Sequence, residues 1–87
     1  MIIRYADSGF EPDDVEVTPG TTVTFYNGSS RPLQVVADPE RDERHPGFGL
    51  ASPIVSGQTY SFTFSQRGKF RYINQLHPSD DGEVEVE

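Results

Sequence analysis

The stretch "HPSDD", residues 77–81, places an imidazole, a hydroxyl and two carboxylates within five positions. Two chemistries use such groups. His77 with Asp80 or Asp81, or with His45 if the intervening chain folds back, offers nitrogen and oxygen donors for a type-two copper or a zinc ion. His77, Ser79 and Asp80 or Asp81 are also the residue types of a hydrolytic relay. Members of such a relay converge from separate segments, however, and no nucleophile-elbow signature accompanies these. Hydrolysis is the weakest reading, and no catalytic residue is assigned. The plainest account of His77 is a turn histidine, fixed by Pro78, whose ring donates to a loop carbonyl.

Other polar patterns carry less. Glu11, Asp13, Asp14 and Glu16 could gather a hard cation, but their spacing follows no EF-hand pattern and a solvated rim is expected. "NGS" at residues 27–29 matches a glycosylation acceptor, although Asn27 more simply bonds the backbone of its own turn. The "ERDER" run is expected to satisfy itself through surface Arg–carboxylate contacts worth about 0–1 kcal/mol each.

Composition narrows these options. The 87 residues contain no cysteine, and Met1 is the sole methionine, so thiolate and interior thioether ligands are absent. Fourteen acidic residues against seven basic ones give a formal net charge of −7. Such a surface repels phosphate backbones and anionic headgroups, so neither nucleic acid nor a lipid surface is an expected partner. No segment approaches the ~20 apolar residues of a membrane span, and "MIIRYADSGF" lacks the apolar core of a signal peptide. The length suits a single domain over residues 1–87, with aromatic side chains supplying most of the core volume.

The elements that must position these groups are strands. "TTVTFYN" turns Val23 and Phe25 to one side, "TYSFTF" does the same with Tyr60, Phe62 and Phe64, and "KFRYIN" with Phe70 and Tyr72. "LQVV" is a shorter run, and "EVEVE" places Val84 and Val86 inward, with Glu83, Glu85 and Glu87 outward as guards of an exposed edge. Turn residues at "TPG", "NGSSRP", "SG" and "QRG" separate the runs. Short strands at this rhythm, without helical periodicity, predict an all-β antiparallel sandwich or a barrel. Residues 38–53 break the rhythm with three prolines and two glycines, and read as a long connector pinned by Phe48 and Leu50.

"GFEPDDVEVTPGTTVTFYN" and "GQTYSFTFSQRGKFRY" resemble the strands of cupredoxins, the plastocyanin/azurin-like copper proteins, over nearly the whole chain. "ADPERDERHPGFG" is similar to the Asp-Pro and Pro-Gly-Phe steps of small bacterial and archaeal members. The resemblance implies a Greek-key β-sandwich of seven to eight strands and an extracytoplasmic setting: periplasmic, cell-surface or secreted. It also implies copper-ligand positions at Leu33, Asn74, His77 and Asp80, where the family carries His, Cys, His and usually Met. Of these only His77 keeps a family ligand type, and the His-x-His pair of Cys-free members would fall on Ile73 and Gln75. A type-one centre needs a thiolate and two imidazoles.

The expectation is therefore a cupredoxin-like domain without type-one copper and without a cofactor, acting as a non-redox binding or structural module. Leu33 and Leu76 are expected to plug the former site as an apolar end. An unidentified protein or small-molecule partner is expected at the loops of residues 38–53 and 74–81, on a monomer. The alternative is a degenerate type-two copper domain, using His77 with His45 or Asp80, for copper handling or electron transfer.

Overall fold

The computed structural model describes residues 1–87 and contains eight strands: β1 (Ile2–Ala6), β2 (Gly9–Glu11), β3 (Asp14–Val17), β4 (Thr21–Asn27), β5 (Val35–Ala37), β6 (Thr59–Phe64), β7 (Gly68–Asn74) and β8 (His77–Val86). They form two four-stranded sheets, ordered β2-β1-β4-β6 and β3-β8-β7-β5. Period-two alternation accounts for the layering. Val23 and Phe25 of β4, Phe70 and Tyr72 of β7, and Val84 and Val86 of β8 all point between the sheets. The rings interlock there, with Tyr72 edge-on to Phe10 at 4.8 Å and to Phe25 at 5.1 Å between centroids.

The expected all-β sandwich is present, with two differences of detail. β1 pairs with β4, and β3 with β8, in parallel, while the other pairings are antiparallel. β8 is also not an edge, because β3 pairs with it from Asp14↔Glu83 to Val17↔Val86. Glu83, Glu85 and Glu87 therefore guard no open edge. Glu85 faces Glu16 across the β3–β8 pair and Lys69 across β7–β8. β1 was hidden in the sequence because Ile2, 65 % exposed, sits beside fully buried Ile3 and blurs the alternation.

Residues 38–53 form no strand, and they return along the sandwich through aromatic anchors. Phe48 packs against Phe25, Tyr60, Phe62 and Phe64. His45 is buried among Phe62, Phe64 and Phe70. The "ERDER" run is held chiefly by backbone partners: Arg44 donates to the Arg41 and Pro39 carbonyls, and Glu43 accepts the Lys69 amide at 2.8 Å. Its one local ion pair is Arg41 with Asp38.

Candidate functional site

β7 ends at Asn74, which pairs with His77 across a turn of Gln75 and Leu76. The next pair is Ile73↔Asp81, so Pro78, Ser79 and Asp80 are extra residues on β8 and form a bulge. Proline cannot donate to a ladder, which favours a break in pairing there. The segment expected to be a loop over 74–81 is thus a tight hairpin with a bulged second strand. The bulge carries Asp80 inward, leaving its side chain only 14 % exposed.

Asp80 meets Tyr5 from β1. The Tyr5 hydroxyl donates to Asp80 Oδ2 at 2.6 Å and accepts from Asn74 Nδ2 at 3.0 Å and from Arg31 Nε at 3.3 Å. Arg31 Nη2 also donates to Asp80 Oδ2 at 3.3 Å and to the Asp7 carbonyl at 2.8 Å, and its guanidinium carbon lies 5.8 Å from the Tyr5 ring centroid. Burial, reinforced by the Asp80 carboxylate, raises the Tyr5 pKa. The hydrogen bond to Tyr5 raises that of Arg31, so the guanidinium is a permanent charge here.

Asn74 is fully buried and fully used. Its Oδ1 accepts the Gln34 and Leu76 amides at 3.0 and 3.1 Å, while Nδ2 donates to Tyr5 and to the Pro32 carbonyl. Leu33 is completely buried and bridges to Ile54. Leu76, by contrast, is 49 % exposed at the turn tip and does not plug the site. Leu33 is enclosed as expected and Leu76 is not, and Asn74 and Asp80 are bridged by the polar Tyr5 hydroxyl. Of the two residues where the resemblance implies a His-x-His pair, Ile73 is buried and Gln75 is exposed.

His77 is half exposed, with Nδ1 3.2 Å from Asp80 Oδ2 and 3.1 Å from Ser79 Oγ. Carboxylate and hydroxyl therefore share one ring nitrogen. A relay needs them on opposite nitrogens, so these three residues do not form one. His45 does not join them. Its Nε2 accepts the Ser65 and Gln66 amides at 3.0 and 3.2 Å, and its Nδ1 lies 3.0 Å from the Pro46 carbonyl, which assigns the ring proton to Nδ1. Those contacts lie just before β7 begins, whereas His77 sits where β7 ends, so the two imidazoles are at opposite ends of that strand.

The remaining sequence candidates are settled by geometry. Asn27 is fully buried, with Oδ1 accepting from Ser29 and Nδ2 donating to the Arg31 and Ile54 carbonyls, so its amide serves the turn. Glu11, Asp13, Asp14 and Glu16 are exposed and do not converge. A separate trio, Glu16, Glu85 and Glu87, holds ligand atoms within 4.8 Å of one another. A hydrogen bond with the Glu85 carboxylate, followed by the like charges of Glu16 and Glu85, raises the Glu87 pKa. Tyr5 and Arg31 were missed in the sequence. Ile3 and Tyr5 share the inward parity of β1, but nothing local links either Tyr5 or Arg31 to Asp80.

The residues at the positions where the resemblance implies copper ligands do not fit a type-one copper. The chain has no thiolate, Leu33 is apolar, both polar atoms of Asn74 are engaged, and a guanidinium stands beside Asp80.

Comparisons with known proteins agree on the frame. Residues 3–87 match the model of copper binding proteins of the plastocyanin/azurin family. The structure is similar to a novel purple cupredoxin from Nitrosopumilus maritimus, with 23 % identity, 99 % of this chain and 98 % of that one covered, and a TM-score of 0.86. It is similar to a variant of amicyanin in the oxidized state, at 27 % identity over 100 % of this chain and 81 % of that one, with a TM-score of 0.86. It also resembles amicyanin from Paracoccus versutus, at 24 % identity over 100 % and 80 % of the two chains, with a TM-score of 0.81.

Proposed function

The chain belongs to the plastocyanin/azurin family of copper-binding proteins, and from the chemistry at its ligand positions we propose that it works as a non-redox binding or structural module. The observation that carries this reading is the Tyr5 hydroxyl, bonded to both Asn74 and Asp80 where relatives of this family would direct two copper ligands. Without a thiolate there is no short copper–sulfur bond to set a redox potential, so electron transfer of the family's kind has no chemical basis here. The family is typically extracytoplasmic, and the same setting is proposed for this chain.

The proposed contact surface lies where residues 38–53 meet the bulge of β8. A groove of about 350 Å³ opens there, lined by Asp38, Pro39, Glu40, Ile73, Pro78 and Asp81. Its partner is a protein or small molecule, bound by a monomer.

A second reading, a type-two copper domain, is favoured by one observation: His77 is half exposed and stands 3.2 Å from a carboxylate. Titration of the purified protein with Cu(II) and with Zn(II), read on the His77 ring resonances, separates the two. The module reading expects no stoichiometric, His77-dependent uptake. Stoichiometric binding that disappears in His77→Asn would establish the second reading in its place.

A further inference from the structure

Asp80 Oδ2 is the point on which the site converges, since Tyr5, Arg31 and His77 all lie within hydrogen-bond distance of it. Building on the non-redox reading, we propose that Arg31 and Tyr5 together stand in for the metal ion: the guanidinium supplies the positive charge and the phenol the central contact, and between them they keep metal cations off the His77–Asp80 pair.

The physical grounds are charge and occupancy. In a metal site the ion's charge draws anionic and lone-pair donors inward, and here a fixed guanidinium does this for a carboxylate that is largely removed from solvent. A second cation arriving at Asp80 would face the first at close range. The phenol blocks the space itself. Its oxygen lies 2.6 Å from Asp80 and 3.0 Å from Asn74, which leaves no room for an ion between those side chains. Both substitutes are anchored independently of Asp80. Arg31 bonds the Asp7 carbonyl, and Asp7 accepts the amide and hydroxyl of neighbouring Ser30, each at 2.9 Å. Tyr5 is fixed by the β1–β4 pairing and by its ring contact with Phe10 at 4.8 Å. The arrangement is thus held open to no ion by the fold, not by Asp80 alone.

The test is Cu(II) titration of the natural chain, of Arg31→Gln, of Tyr5→Phe/Arg31→Gln, and of the last with His77→Asn added. With both substitutes removed, Cu(II) affinity should rise at least tenfold, with a thermal midpoint that increases on adding Cu(II), and His77→Asn should abolish both effects. Arg31→Gln alone, at a side chain 37 % exposed, should shift affinity in the same direction by a smaller factor. Arg31→Lys, which keeps the charge, should leave affinity at the natural level. Unchanged affinity in Arg31→Gln and in the double variant would overturn the proposal, as would a rise that survives His77→Asn. Tight His77-dependent uptake by the natural chain would overturn both this proposal and the module reading, whereas unchanged affinity on substitution overturns this proposal alone.

Discussion

Two buried phenols of this protein should respond in opposite ways to losing their hydroxyls. The Tyr5 hydroxyl serves a carboxylate, an amide and a guanidinium, so Tyr5→Phe strands partners that were built around it. A loss of about 1–3 kcal/mol is expected, measured by chemical denaturation. The Tyr72 hydroxyl is buried without a partner in the protein, and Tyr72→Phe should be neutral or stabilise by up to about 1 kcal/mol. Equal losses in the two variants would show that the hydrogen-bond partners of Tyr5 do not set it apart from Tyr72. Leu33 gives a third measure. It is fully enclosed, so Leu33→Asp should cost about 3 kcal/mol or more, where a surface change costs about 0.5 kcal/mol. A near-neutral result would mean that the 28–34 turn does not pack as described.

Among the elements, the β7–β8 hairpin depends on one close approach. Gly82 pairs with Tyr72, and a Cβ on Gly82 would collide with the Tyr72 hydroxyl and the Asp13 carbonyl. Gly82→Ala is expected to lower stability by about 1–3 kcal/mol, because β3 must move away from β8 to admit the methyl group. Combining it with Tyr72→Phe should recover part of that loss, which the sum of the single changes would not predict. Hydrogen exchange at the Glu83 amide, which donates to Asp13 at 2.8 Å, reports the same displacement. The 38–53 connector depends on His45 in a comparable way. An imidazole lone pair that accepts two backbone amides closes the chain between β6 and β7, which a sequence reading could offer only as a metal candidate.

For the whole molecule, pH separates two sets of groups. The Ser30 amide and hydroxyl hold the Asp7 carboxyl below its ordinary range. A depressed carboxyl contributes stability above about pH 4 that is lost as pH falls through the folded value, so Asp7→Asn should flatten the acid limb of the stability curve. Burial raises the phenols of Tyr5, Tyr60 and Tyr72. Their contribution is complete below about pH 10 and declines above it, as the unfolded chain ionises first. Denaturation midpoints from about pH 3 to about pH 11 check both limbs. The sequence by itself determined the sandwich, through period-two alternation in β4, β6, β7 and β8, and left out the thiolate that a type-one copper needs. These are local facts, readable one residue at a time. Only the tertiary structure decided what surrounds Asp80. Asp80 meets residues 75 and 49 positions away, Tyr5 and Arg31, because a bulge turns it inward and a parallel pairing brings β1 alongside β4, and neither event leaves a local pattern.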